Sequence, residues 1–393
     1  MAGTIFPRIL PPPKGSFLVL GARGTGKSTW LRQYFPGATY IDLLDQQIYQ
    51  SYLADVGALA RRLEALPPGS RVVIDEIQRL PHLLNEVHRF IETRHLEFAL
   101  SGSSARKLRQ AGTNLLAGRA VRKTLHPLVP QELGSAFDLE RVLGQGSLAL
   151  IWDRGGERDV LEAYVQTYLR EEIQAEAIVR NLPGFARFLP VAALFHGQVL
   201  NVASLARDAG VSRTTVSGYL EILEDTLLAF RLPAFEGKLR VKEKRHPKLY
   251  WIDAGIARAA RRRFGAIVSE ERGALFEGWI ASLLHAYRAY TDLFDDWHYW
   301  GPTEAAALEV DFLLWRDADC IALEAKASRR FRPEWTKGLD ALAAGMRGKR
   351  LRRRLIVYLG DERLATPGGI SVLPLRDFLD QIEGNRLFEA RDV

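Results

Sequence analysis

GARGTGKST (21–29) follows directly on the apolar run Phe17-Leu18-Val19-Leu20. It matches Gly-x-x-x-x-Gly-Lys-Ser, a loop that cradles phosphates between a strand and a helix. Glycines let the backbone turn its N–H groups inward around phosphate oxygens. The helix that follows presents the positive end of its dipole to the anion. Gly21, Arg23, Gly24, Thr25, Gly26, Lys27, Ser28 and Thr29 are therefore expected to bind ATP. Lys27 is assigned to the β- and γ-phosphates and Ser28 to Mg²⁺.

Outward from this loop, short apolar strands alternate with amphipathic helices. FLVLG (17–21), ATYIDLL (38–44), RVVIDEI (71–77) and EFALSG (97–102) have the pattern of strands. KSTWLRQYF (27–35) and DVGALARRLEAL (55–66) have apolar residues at helical spacing. Such alternation implies a parallel sheet covered on both faces. Val72-Val73-Ile74-Asp75-Glu76 is a buried strand ending in two acids. Asp75 is expected to hold Mg²⁺ through water, and Glu76 to orient and deprotonate the attacking water. Ser103, at the tip of the next strand, is placed to position that water. A positive charge for the transition state is still needed; Arg106 and Arg119 are the candidates, acting on a neighbouring subunit.

GARGTGKST, YIDLL, VVIDEIQRLP, LSGSSARKL and LAGRA together resemble the prokaryotic ATPases of the AAA+ superfamily that carry a DUF4143-type C-terminal domain. HPLVPQEL (126–133), YLREEI (168–173), KLYWIDAGIAR (248–258) and LFEGWIASLL (275–284) resemble that family's C-terminal region. The resemblance carries Lys27, Ser28, Asp75 and Glu76 over directly, the strand-tip serines as sensors, and the two arginines less directly. It implies a homo-oligomer, a ring of six. Glu171 and Glu172 of YLREEI have the pattern of a solvated helix face.

Composition narrows the setting. At about 150 residues per domain, 393 residues suggest two or three domains. Apolar residues make up 47% and charged residues 26%, which suits a chain with real cores. The single cysteine, Cys320, forms no internal disulfide and fits a reducing compartment. No apolar run reaches the roughly 18 residues of a membrane span, and the N-terminal prolines do not suit a signal peptide. A cytoplasmic protein without a membrane partner is expected. The net charge of +7 is concentrated at KLRVKEKRHPK (238–248), ARAARRRF (257–264) and MRGKRLRRR (346–354). Clusters of this kind favour a polyanionic partner.

VLNVASLARDAGVSRTTVSGYLEILEDTLLAF (199–230) has two helical patterns around Gly210. Ser212 is a good N-cap for the second. This is helix-turn-helix spacing, and Arg213, Thr214 and Thr215 fall where groove contacts are made. The basic hairpin beyond it resembles a wing, with Lys238, Arg240, Lys242, Lys244 and Arg245 as phosphate contacts. A helical pair used only for protein packing is the alternative.

Near the C-terminus, Glu277 lies on a helix, and EVDFLLW (309–315) and CIALEAKA (320–327) form a hairpin pattern. Glu324 and Lys326 alternate onto one face of their strand, with Asp311 beside them. Helix acid, then Asp, then Glu-x-Lys is the pattern of restriction-endonuclease-like, PD-(D/E)XK folds, whose acids hold Mg²⁺. A salt-bridged strand pair is the alternative. The expected architecture is thus α/β. It comprises a P-loop ATPase domain (1–135), a helical and winged-helix DNA-binding region (136–265) and a PD-(D/E)XK-like module (266–393). The expected function is an ATP-hydrolysing motor that translocates on or remodels duplex or branched DNA, resembling in outline the bacterial branch-migration motor. An ATP-gated Mg²⁺-dependent deoxyribonuclease and a nucleotide switch that binds a protein partner remain as alternatives.

Overall fold

The computed structural model describes residues 5–55, 57–104, 106, 108, 118–154, 158–168, 182–237, 243–303, 308–346 and 350–389. Lys238, Arg240, Lys242, Glu171 and Glu172 lie outside these residues.

Strands β1 (Ser16–Leu20), β2 (Thr39–Asp42), β3 (Arg71–Asp75), β4 (Glu97–Gly102) and β5 (Ala120–Thr124) form one sheet in the order β2-β3-β4-β1-β5. Every pairing in it is parallel. The four strands expected from the apolar runs are present. β5 was not expected, because Ala-Val-Arg-Lys-Thr is a partly exposed edge strand without an apolar run. Residues alternate between two cores, as the pleat requires. Phe17, Val19 and Val73 enter one, while Leu18, Leu20, Val72 and Ile74 enter the other. Helices α1 (Lys27–Tyr34), α2 (Gln46–Ala54), α3 (Gly57–Glu64) and α4 (Leu84–Arg94) cover the faces. Three fully buried side chains in a row on β3 contribute about 1.5–3 kcal/mol each. This anchors the strand whose end carries Asp75.

In the middle of the chain, α5 (Ala149–Asp153) leads to α6 (Leu182–Leu194), β6 (Gln198–Val199), α7 (Val202–Ala209) and α8 (Arg213–Asp225). Then come β7 (Ala229–Leu232), β8 (Lys248–Trp251) and α9 (Ala254–Ala260). Gly210 turns the chain between α7 and α8 with φ +63°. Ser212 caps α8 as expected, its hydroxyl accepting the Thr215 N–H at 3.1 Å. β6, β8 and β7 make a three-stranded antiparallel sheet in that order.

The C-terminal part begins with the long α10 (Ser269–Thr291), followed by β9 (Asp296–Trp300), β10 (Val310–Arg316), β11 (Asp319–Lys326), α11 (Lys337–Gly345), β12 (Arg350–Tyr358), β13 (Leu364–Ala365), β14 (Ser371–Pro374) and α12 (Leu375–Glu383). Its mixed sheet has the order β13-β14-β12-β11-β10-β9. One apolar core runs from Phe17 and Val73 through Leu125 and Leu128 to Trp279, Tyr287 and Phe312. The parallel sheet and the C-terminal module therefore share buried surface. Among the described residues, no helix is long and apolar enough to cross a membrane.

Candidate functional site

β1 delivers the chain into the loop and α1 begins at Lys27, so the expected strand–loop–helix context is present. Gly24 and Gly26 have φ of +83° and +92°, a conformation that favours glycine. Gly21 is required for space, since a Cβ there would sit 2.5 Å from the Leu125 carbonyl oxygen. The loop's carbonyls are drawn away by partners from several elements. Lys27 Nζ donates to the Gly21 and Ala22 oxygens at 2.8 and 3.3 Å. The Tyr164 hydroxyl donates to the Arg23 oxygen at 2.8 Å, and Leu150 N–H to the Gly24 oxygen at 3.0 Å. Arg8 Nη1 donates to the Thr25 oxygen at 2.7 Å. The carbonyls of Gly21, Ala22, Arg23, Gly24 and Thr25 are thus all tied down, which fixes the course of the loop. A cleft of about 530 Å³ opens over it, walled by Phe6, Leu128 and Leu150 and reaching Ser28, Thr29 and Glu76.

Asp75 ends β3, 1% exposed. The Ser101 hydroxyl donates to one of its carboxylate oxygens, and the Tyr40 hydroxyl donates to the other at 2.5 Å. Burial and the neighbouring Asp75 push the Tyr40 phenol well up, so it stays a donor. The strand stops at Asp75 because Glu76 has φ +58°, which breaks the ladder and turns the chain. A non-glycine residue there stores of order 1 kcal/mol of strain. Its N–H is held by the Ser101 oxygen at 3.1 Å. The Glu76 carboxylate accepts the Ser103 hydroxyl at 3.1 Å and the Gln78 side-chain amide. That amide also reaches the Ser103 oxygen at 2.9 Å. Ser103 thus lies beside Glu76, where the sequence reading put it.

The two arginines have partners within the chain. Arg106 lies 3.7 Å from Asp225 at the end of α8, and the exposed Arg119 pairs with Glu92 of α4. Tyr40, Gln78, Arg8 and Tyr164 were not anticipated. Only Gln78, two residues beyond Glu76, had a signal in the sequence. The others arrive from distant segments.

The loop, Lys27, Ser28, Asp75 and Glu76 suit ATP and Mg²⁺: a glycine-bearing turn between strand and helix, a lysine, a hydroxyl at the first turn of α1, Glu76 on the cleft and Asp75 next to it at the end of β3. The chain matches the model of an AAA domain over residues 14–134. It also matches two domains of unknown function, DUF8612 over 138–266 and DUF4143 over 272–378. The chain joins an AAA domain to a DUF4143 domain. Two uncharacterized proteins, from Mycobacterium bovis and Mycobacterium tuberculosis, are each 24% identical to it over 373 residues, 92% of this chain and 80% of theirs. Among solved structures, a DNA polymerase III gamma subunit-related protein from Thermotoga maritima overlaps 54% of this chain and 94% of its own. Its identity is 11% and its TM-score 0.25. The protein VC1899 from Vibrio cholerae overlaps 94% of this chain and 96% of its own, at 13% identity and a TM-score of 0.22.

In the DUF4143 domain the expected quartet comes together. Lys326 Nζ pairs with Glu324 and lies 3.8 Å from Asp311, whose carboxylate also accepts the Ala325 N–H at 2.9 Å. Glu277 accepts the Tyr250 hydroxyl at 2.6 Å. Two residues outside the expected set join them: Lys248 from β8, and Glu309 just before β10. Burial and the Asp311 charge push Glu324 well up, and burial also raises Glu277. Asp311 is driven up by burial, but Lys326 and Lys248 outweigh this and hold it low.

Between the AAA and DUF4143 domains, Ser212, Arg213 and Thr214 are exposed at the start of α8, and Thr215 is half-buried. Several described residues of the basic stretches have acidic partners. Lys244 is engaged with Glu309 at 2.8 Å, and Arg245 lies 3.7 Å from Glu236. Arg258 is buried against Glu271 and the Gly144 oxygen. In MRGKRLRRR, Arg352 binds Asp319, Arg354 binds Asp340, and Arg353 is buried with Gln381. Arg262 and Arg263 do face solvent.

Proposed function

We propose that the chain binds ATP with Mg²⁺, hydrolyses it with Glu76 as general base, and couples the hydrolysis to duplex or branched DNA. The supporting observation is that Glu76 lines the same cleft as Lys27 and Ser28 while Ser103 and Gln78 orient its carboxylate. Mg²⁺ held by Ser28 and, through water, Asp75 would neutralise phosphate charge. The apolar wall of Phe6, Leu128 and Leu150 suits a base.

The DNA reading rests on the order helix, strand, helix, helix, strand, strand over α6 to β8, with the sheet order β6-β8-β7. That is the order of a winged helix, and its second-helix start carries exposed Arg213 and Thr214. In a ring of subunits, Arg106 and Arg119 are the candidates to complete a neighbour's nucleotide site.

ATPase assays with four-way, forked and linear DNA test this reading. DNA is expected to raise the rate, with a steep salt dependence. Glu76→Gln is expected to abolish hydrolysis while retaining ATP binding. Arg213→Ala with Thr214→Ala is expected to remove the DNA response and spare the basal rate. A rate indifferent to every DNA would overturn the motor reading and favour a nucleotide switch acting on a protein.

A further inference from the structure

Restriction-endonuclease-like folds hold a divalent cation between the helix acid, the aspartate and the Glu-x-Lys acid. In this chain Lys248 stands among those acids. Its side chain is 1% exposed, and its Nζ lies 2.8 Å from Glu277, 2.5 Å from Glu309 and 3.7 Å from Asp311. An ammonium has three N–H donors, and three carboxylates converge on this one. The Tyr299 ring closes another side, 5.5 Å from Nζ. The acids also have other ties. Asp311 accepts the Ala325 N–H, Glu277 accepts the Tyr250 hydroxyl, and Glu309 takes Lys244 on its second oxygen. Mg²⁺ demands oxygen ligands at about 2.0–2.1 Å in near-octahedral array. Among the described residues no group of three or more acidic, histidine or cysteine side chains has a metal-holding arrangement. The residues present do not fit the metal.

The origin of the lysine gives this arrangement a purpose. The acids belong to α10, β10 and the approach to β10, all in the C-terminal module. Lys248 begins β8, which pairs with β7 and β6 in the central sheet. Lys244 enters from the same KRHPK segment, its N–H also bound to the Gly301 oxygen at 2.9 Å. Two lysines of the central region are thus seated in acids of the C-terminal module. Burial disfavours the Lys248 charge, but Glu277, Tyr250, Asp311 and Glu309 outweigh it and keep the ammonium charged.

We propose that the acid cluster is a socket for Lys248. The ammonium fills the cation position, so the C-terminal module docks the central region and does not cut phosphodiesters with a metal.

The test uses the full chain, stripped of metal and free of nucleotide, with Mn²⁺ alone as probe. Wild type and Asp311→Asn should bind the same number of Mn²⁺ ions by electron paramagnetic resonance. Lys248→Met should gain one Mn²⁺ per chain, and adding Asp311→Asn should remove it. A wild-type Mn²⁺ that disappears in Asp311→Asn would overturn the proposal, as would Mn²⁺-dependent DNA cleavage abolished by Lys326→Ala. If Lys248→Met fails to fold, native-state lysine acetylation read by mass spectrometry decides on wild type alone. Lys248 should stay unmodified with and without millimolar Mn²⁺ while the exposed Lys337 reacts. Mn²⁺ that uncovers Lys248 would show that the metal displaces it, and the proposal would fail.

Discussion

Asp253 accepts the backbone N–H of Ser147 at 2.6 Å, joining segments 106 positions apart in sequence. The same carboxylate accepts the Leu148 N–H at 3.1 Å and caps α9 through Ile256 at 3.0 Å. Two residues beyond Leu148, the Leu150 N–H holds the Gly24 carbonyl of the phosphate loop. Gly146 makes the approach possible: a Cβ there would lie 1.9 Å from the Asp253 oxygen. Asp253 therefore props the loop from a distance. β8 ends two residues before it, so one short strand has Lys248 in the acid socket at its start and leads to the loop's prop.

Asp253→Asn places an NH₂ against N–H donors and is expected to cost about 1–3 kcal/mol of stability. ATP affinity should also fall, by about tenfold if some 1.4 kcal/mol of the loss appears at the loop. Urea unfolding and titration with a fluorescent ATP analogue read the two effects separately. Lower stability with unchanged affinity would confine Asp253 to folding.

Gln78 is expected to position Glu76. A general base contributes roughly 10²–10⁴-fold, so losing its orientation in Gln78→Ala should lower kcat by about tenfold or more and leave KM nearly unchanged. Gln78→Glu sets a second carboxylate beside Glu76. Like charges raise a carboxyl pKa, so the acid limb of the kcat profile should move to higher pH. An unshifted profile with a raised KM would show that Gln78 shapes binding instead.

How much of this was legible in the sequence follows from the range of each interaction. Lys27, Ser28, Asp75 and Glu76 sit in local strand–loop–helix patterns, and neighbours along the chain suffice to place them. Asp311, Glu324 and Lys326 share one hairpin, where the two-residue period put them on one face. Lys248 was different. It lay at the end of a basic stretch with nothing to single it out, and only the packing of β8 against α10 reveals its three carboxylates. Arg8 gave no sign at all, because its partners at residues 25, 126, 132 and 290 are scattered over the chain. β5 escaped because edge strands lose the apolar run that marks buried ones.

Arg8 links the N-terminal lead-in, the phosphate loop and α10. Its guanidinium binds Glu132 at 2.9 Å, the Thr25 oxygen at 2.7 Å and the Tyr290 hydroxyl at 3.1 Å, all buried. Breaking a buried pair by removing one partner costs about 3–5 kcal/mol. Arg8→Met should destabilise by that order, since Glu132 is left buried with two backbone N–H donors but no counter-charge. Arg8→Met with Glu132→Gln should recover part of the loss. A double-mutant cycle in urea measures the coupling, and additive losses would mean that the pair acts independently.

His126 supplies a pH dependence. Its ring is 1% exposed, packed against His285 with centroids 4.7 Å apart, and neither nitrogen has a hydrogen-bond partner among the described residues. Burial, then His285 and Arg8, hold its pKa well below the ordinary 6.5. In the unfolded chain the ring takes up a proton near that ordinary value. In the folded chain it does not, so below it the unfolded state binds more protons. Stability is therefore lost as pH falls. His126→Phe keeps a ring in the site and removes the titration. The stability of wild type relative to the variant should fall on acidification from about pH 7 to pH 5, by up to about 1.4 kcal/mol per pH unit. Urea midpoints across that range give the difference directly. Parallel curves for the two proteins would mean that the His126 ring accepts its proton in the folded state, and that the space beside His285 and Tyr290 admits water.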